Sequence, residues 1–334
     1  MTEAVRTRIT EMFGIRYPVI CGGMMWLCTP RLCAAISEAG GMGNLTAGNY
    51  ETEEDFRRAI GEVRSYTDRP FLVNITLHPS VRLTRRHHEM YIRVCGEERV
   101  AGIEFSGTPV DTAFGRETVG FLKNAGVRIF QKVGSVRHAV HAEKAGYDGV
   151  YAAELEEGGH PLMDDVTAMV LIPRIAESVR IPVVAAGGMA DGRSLAAALV
   201  LGADAVMMAT RFIATVECEV HEAVKRHLVE RQEYDTVLFG RSLGMQGRAL
   251  KNRMIGEIAA VEERGGGFDK LAPLLSGLRI RRAWETGDVD NAPLMVGQSV
   301  GLVRDIPTCR DLLERIASEA ARRTAAAGRM LGAG

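Results

Sequence analysis

Apolar residues along this chain fall in short, nearly uninterrupted runs separated by amphipathic stretches. The runs are PVICGG (18–23), MGNLTA (42–47), FLVNIT (71–76), GIEFSG (102–107), RIFQKV (128–133), GVYAAE (149–154), PVVAAG (182–187) and AVMMAT (205–210). Runs this apolar, without polar alternation, predict strands buried on both faces, as in a parallel sheet with crossover helices. Helical signals lie between them. Residues 29–39 open with Thr29 and Pro30, an N-cap and first-turn pair, and stop at Gly40. Residues 52–65 open with Thr52 and two acids, 135–145 run from Ser135 to Gly146, and 193–201 close at Gly202.

Eight such units is the count of an α/β fold of the (β/α)8 TIM barrel type. An open doubly wound sheet is the rival. No G-x-G-x-x-G follows the first run, which weakens the dinucleotide-binding form of that rival. After residue 211 the pattern changes. Residues 219–233 read as a charged helix, and RSLGMQGRALKNRM (241–254) leads into another. Residues 306–330 read as a terminal helix. The expected organisation is a barrel formed by 1–211 and 306–330, with 212–305 as a mostly helical addition after strand 8, near the active site.

Composition narrows the class. At 334 residues with 46% hydrophobic and 25% charged positions, the chain is ordinary globular protein. A formal net charge of −1 gives no basic excess for nucleic acid. The six cysteines form no C-x-x-C pair, so neither a zinc site nor a disulfide framework is expected. The longest apolar stretch, 194–210, is interrupted by Gly202 and Asp204, and the charged N-terminus is no secretory signal. A soluble cytoplasmic protein with no membrane partner is the expectation.

In a barrel, ligand contacts come from the loops after the strands. Unusual residues gather there: GGMMW (22–26), Thr76, Lys132, EEGGH (156–160), AAGGMADGR (185–193) and MATR (208–211). Gly187 and Gly188 would let a phosphate approach backbone amides, helped by the start of the next helix, and Thr210 can donate a hydroxyl hydrogen bond. The plainer alternative is a tight turn. His160 sits on an irregular loop and titrates near neutral pH, as a general base should, with Glu156 and Glu157 near enough in sequence to orient it. A surface-loop histidine is the plainer alternative. Lys132, a charge at the inner end of an apolar strand, suits a phosphate, a reduced flavin or a structural ion pair. His138 and His141 share a helix face without a completing ligand, and no metal site is expected. The stretch RLTRRHH (82–88) reads as a lid, an anion-steering loop or a solvated run.

At these blocks the chain resembles the nitronate monooxygenase (2-nitropropane dioxygenase) family of FMN-dependent barrels. The resemblance is carried by FGIRYPVICGGMMW (13–26), EAGGMGNL (38–45), PFLVNIT (70–76), EEGGHPLMDD (156–165), VLIP (170–173), IPVVAAGGMADGR (181–193) and LGADAVMMATRF (201–212). GHPLMDD (159–165) points to the bacterial branch that includes NADH:quinone reductases. The resemblance implies FMN contacts at Gly23, Met24, Thr76, Lys132, Gly159, Gly187, Gly188, Ala209 and Thr210. It implies substrate contacts at Met25 and His160, with His160 as catalytic base or hydrogen-bond donor. Met25 stands where the branch has Gln, Ala209 where it has Gly, and Ala186 where close relatives have Ser. The implied activity is oxidation of alkyl nitronates or nitroalkanes with O2. The alternatives are reduction of a quinone or enoyl thioester by NAD(P)H through the same FMN, and a non-catalytic barrel binding a phosphate ligand. A small-molecule substrate and compatibility with a homodimer complete the expectations.

Overall fold

A computed structural model describes residues 5–78, 82–244 and 246–332. Eight strands run parallel: β1 (Val19–Cys21), β2 (Gly43–Thr46), β3 (Phe71–Leu77), β4 (Gly102–Gly107), β5 (Arg128–Val133), β6 (Gly149–Ala153), β7 (Val183–Ala186) and β8 (Ala205–Met208). Each pairs with its sequence neighbour from β2 to β8, and β8 pairs with β1. An Ile20–Met42 bridge joins β1 to β2, with Cys21 N–H donating to the Met42 carbonyl at 2.9 Å. The sheet is therefore a closed barrel, as the eight apolar runs predict.

The helices are α1 (Arg8–Phe13), α2 (Pro30–Glu38), α3 (Glu53–Tyr66), α4 (Arg85–Glu97), α5 (Val110–Phe114), α6 (Arg116–Asn124), α7 (Val136–Lys144), α8 (Ala168–Ala176), α9 (Gly192–Val200), α10 (Thr210–Ile213), α11 (Glu222–Val229), α12 (Arg253–Glu263), α13 (Phe268–Leu271), α14 (Gly277–Thr286) and α15 (Cys309–Met330). The caps read from sequence form: Thr29, Thr52 and Ser135 each accept a backbone N–H with the side chain. Helix α15 packs beside α9 and α2 and so occupies the place of the last barrel helix. Its approach is close, since a Cβ on Gly192 would lie 2.4 Å from the Ile316 carbonyl oxygen.

The segment between α10 and α15 carries α11 to α14 but is less than half helical, short of the mostly helical addition expected, and it contains a ladder that the hydrophobic pattern did not announce. Strands β9 (Thr236–Phe239) and β10 (Gly247–Leu250) pair antiparallel. A further bridge, Gly159 with Arg248, ties β10 to the loop after β6. The addition thus rests on the carboxyl rim of the barrel.

Alternating residues of a strand face opposite sides. The outward set packs under the helices. The inward set forms its own buried cluster, in which Ile20, Met42, Leu72, Phe130, Tyr151, Val184 and Met207 fill the barrel and Ile9 and Ile15 close its floor. Arg8 fastens α1 there by a bidentate pair with Asp204, at 2.7 and 2.6 Å. All six cysteines are buried thiols, in keeping with the absence of a disulfide framework.

Candidate active site

The layer above that apolar plug belongs to the same inward-facing rows, and its character changes around the barrel. On β2 to β5 the rows end in Asn44, Asn74, Thr76, Glu104, Ser106 and Lys132. On β6, β7, β8 and β1 they end in Ala153, Ala186, Gly188, Ala209 and Gly22.

The polar side divides into three bonded groups: Glu104 with its donors, Lys132 with Glu157, and Thr76 Oγ1 donating to Asn74 Oδ1 at 3.5 Å. Glu104, on β4, accepts from Asn44 Nδ2 at 2.5 Å, from Ser106 Oγ at 3.2 Å and from the Gly23 amide at 3.3 Å. Burial nevertheless holds its pKa above the ordinary carboxylate value, against the pull of Lys132. Lys132 Nζ, on β5, lies 3.0 Å from Glu157 Oε2. Burial works against its charge, but Glu157 and Glu104 outweigh that and raise its pKa. Glu157 is pushed up to about 6 by burial, with Lys132 opposing. Lys132 is therefore a lasting positive charge beneath the mouth, held between two acids.

The small-residue side offers backbone. Gly187 adopts φ 125° and Gly188 φ 67°, conformations that side chains rarely take. The amides of Gly187, Gly188, Ala209 and Thr210 meet no acceptor among the described residues. Four unpaired N–H groups from two neighbouring loops form a cradle for an anion. The start of α9 contributes less than the sequence suggests, because Asp191 and Ser194 already cap it: Asp191 accepts from the Arg193 and Ser194 amides at 3.0 Å. Thr210 is buried, and its hydroxyl oxygen accepts from the Gly297 amide at 3.0 Å, which fastens the cap to the rim while leaving its own proton to donate. Glu154, fully buried beside Gly187, has no partner for either oxygen, and burial drives its pKa well above the usual range. A neutral acid at that point does not repel an anion.

His160 follows Gly159, whose φ is 84° and whose amide and carbonyl both bond to Arg248. The ring is reachable from solvent but sits in a concave mouth. The surrounding protein, with His78 and Lys132, pulls its pKa down to about 4, so it is a neutral imidazole at neutral pH. One expectation needs correcting: neither Glu156 nor Glu157 orients it. Glu157 is engaged by Lys132, and Glu156 accepts from the Ala168 amide at 3.5 Å.

The other sequence candidates separate. Met24 is buried in the outer core, its amide donating to Cys28 Sγ at 3.3 Å, so only its backbone can face the mouth. Met25 is exposed and lines a small recess with Thr46, Asn74, Thr76 and His88. His87 caps α4 through Thr84, and His88 packs against Tyr91. His141 pairs with Asp111, and no metal-binding group occurs among the described residues. Sequence reasoning missed Asn44, Asn74, Glu104 and His78. Glu104 carries the same signal as Lys132, a charge inside an apolar run, and reading GIEFSG at a period of two turns it inward with Ser106.

An anion cradle, a half-buried cation and a neutral imidazole thus gather at the carboxyl rim, and the relatives of the chain make it a flavin-dependent oxidoreductase barrel. The chain belongs to the nitronate monooxygenase family, whose profile it matches over residues 6–319. It is 32% identical, over 98% of its length and 99% of the relative's, to (3aS,4S,5R,7aS)-5-hydroxy-7a-methyl-1-oxo-octahydro-1H-indene-4-carboxyl-CoA dehydrogenase of Rhodococcus jostii (strain RHA1). It is 29% identical to a probable nitronate monooxygenase of Staphylococcus aureus (strain MSSA476), over 90% of this chain and 94% of that protein. Among solved structures, FabK from Thermotoga maritima superposes with TM-score 0.87 at 38% identity, covering 96% of this chain and 98% of FabK. Nitroalkane oxidase from Streptomyces ansochromogenes superposes at 0.80 with 29% identity, covering 95% and 99%. No helix among the described residues is long and apolar enough to cross a membrane.

Proposed function

We propose that this chain is an FMN-dependent oxidoreductase of the nitronate monooxygenase type, oxidising alkyl nitronates with O2. The observation that carries the FMN assignment is the set of four unpaired amides at Gly187, Gly188, Ala209 and Thr210. A Cβ on Gly23 would lie 2.2 Å from Asn74 Cγ, so the loop after β1 can pack on the Asn74 side chain only because a side chain is missing there. FMN bound there would supply the electron transfer between substrate and O2. The amide cradle would hold its phosphate, and Gly23, Met24, Thr76, Lys132 and Gly159 would border its ring.

The protein's own part is positioning and proton handling. Neutral His160 donates a hydrogen bond to a substrate oxygen, or takes the α-proton of a nitroalkane. Lys132, kept charged by Glu157 and Glu104, favours negative charge that develops at the centre. The segment that carries β9 and β10 is fastened to the rim by the Gly159–Arg248 bridge and by the Gly297 amide on Thr210.

A second reading is supported by the CoA thioester in the name of the Rhodococcus relative and by the mouth itself. The guanidinium groups of Arg82 and Arg281 both stack on Trp26, at 4.8 and 5.1 Å from its ring. Two arginines at the entrance suit a substrate with an anionic carrier. In that reading NAD(P)H is the reductant and a quinone or enoyl thioester the acceptor.

The absorption spectrum of the purified protein tests the cofactor. Anaerobic addition of an alkyl nitronate should bleach the flavin band. Rapid anaerobic bleaching by NAD(P)H instead would replace the monooxygenase reading with the reductase one.

A further inference from the structure

We propose that His78 is a second substrate-binding residue, which with His160 grips one oxygen of a substrate whose reacting carbon is conjugated to an oxyanion. The proposal rests on the reading of His160 as the residue facing substrate.

His78 follows the end of β3 and His160 follows β6, three strands further round the barrel, and the two rings meet at the rim. Their centroids are 6.3 Å apart, with the planes tilted by 44°. That spacing is short enough for a single oxygen between them to accept from both rings through ordinary N–H···O bonds of ~2.9 Å. No hydrogen-bond partner meets either ring among the described residues, and both rings are open to solvent from the mouth. Two imidazoles with unused nitrogens, 6.3 Å apart at the rim, are poorly explained by packing alone.

The wall behind His78 is shaped for it. Gly107, at the end of β4, adopts φ 85°, and a Cβ there would lie 3.0 Å from His78 Cε1. The Gly107 carbonyl accepts from Gln131 Nε2 at 3.0 Å, which fixes this turn to β5. The ring therefore rests in a notch that a side chain at 107 would fill.

The surroundings choose the ligand. Lys132 is the charged group whose field reaches both rings, and it lowers the pKa of each, with burial as the larger cause. Glu157 and Glu104 lie behind Lys132 and are engaged with it. Two neutral imidazoles above a cation offer two N–H donors and a positive field to the same point. This favours an oxygen bearing delocalised negative charge, which a nitronate carries and which a thioester acquires as its enolate. A cation, or a substrate with no oxygen next to the reacting carbon, gains nothing from the pair.

The test uses nitrate, a planar delocalised oxyanion with no reactive carbon, added to the purified holoenzyme. The ring Cε1–H signals of both histidines, assigned by substitution, should shift with one common midpoint. His78→Leu should weaken nitrate binding about tenfold and lower kcat/KM for the true substrate at least as much, with flavin content unchanged. His78→Gln, which keeps a donor, should recover part of both. A nitrate response confined to His160, or His78→Leu behaving as wild type, overturns the proposal and leaves the flavin oxidoreductase reading standing. If the protein holds no flavin but nitrate still moves both rings, the oxyanion site stands and the functional reading falls. Comparing His78→Leu turnover on an alkyl nitronate and on an enoyl thioester shows which source supplies the oxyanion: the one whose turnover collapses is the one gripped.

Discussion

The two halves of the barrel mouth are built from the same strand geometry and do opposite things. From β2 to β5 the upper inward row is Asn44, Asn74, Thr76, Glu104, Ser106 and Lys132; hydrogen bonds join Asn44 and Ser106 to Glu104, and Lys132 pairs with Glu157 from the loop after β6. From β6 round to β1 the same row is alanine and glycine, and what it presents is unpaired backbone. One half supplies charge and protons, and the other supplies room and N–H groups. A ligand with an anionic tail and a redox-active ring needs both at once, and neither half alone would distinguish it from many others.

Substitutions can break this division. The largest effect is expected at Gly187. A valine there must adopt φ 125° and place Cβ 3.0 Å from Glu154 Oε2. Gly187→Val should purify without the yellow flavin absorbance, and retained colour at wild-type stoichiometry would remove the cradle from cofactor binding.

Next comes His160→Ala, which should keep the flavin and lose roughly 10²–10⁴-fold in kcat/KM. In the wild type the pH profile sharpens this. Because the imidazole pKa is lowered to about 4, the neutral form persists as pH falls through the ordinary histidine range. The acid limb of kcat/KM should lie near that lowered value, and a limb near about 6.5 would show a histidine free of its neighbours.

On the polar half, Lys132→Met should destabilise the fold by about 3–5 kcal/mol, because it leaves Glu157 and Glu104 buried without their cation. Glu157 already binds its proton more tightly folded than unfolded, with pKa raised to about 6. Stability associated with it is therefore present at acid pH and is lost as pH rises through that value. Removing Lys132 raises the pKa further, so the deficit measured by denaturant melts should be larger above about pH 7 than below about pH 5.

The smallest effect is expected where the small-residue half meets the cap. Thr210→Val leaves the Gly297 amide without its acceptor and should lower stability by about 1–3 kcal/mol. No change would mean that the amide finds water.

Much of the scaffold was legible because local chemistry fixes it. Thr29–Pro30, Thr52 and Ser135 mark helix starts through hydrogen bonds made within one turn, and the eight apolar runs coincide with the eight strands. Lys132 and Gly187 stood out because a charge in an apolar strand and paired glycines after one are rare locally. The hairpin of β9 and β10 was not legible. Its residues TVLF and GRAL carry no clean alternation, and its support comes from distant partners such as the Gly159–Arg248 bridge.

The sequence by itself determined the barrel, its rim and the residues of the amide cradle, because strand burial, helix capping and glycine backbone freedom are decided within a few residues. Only the tertiary structure decided which acid serves which base. Glu157 turns to Lys132 rather than to its near neighbour His160, and His78, more than eighty positions away, becomes the ring that faces it. Such pairings depend on which strands the closed sheet brings across one mouth, and that distance in space is not written in distance along the chain.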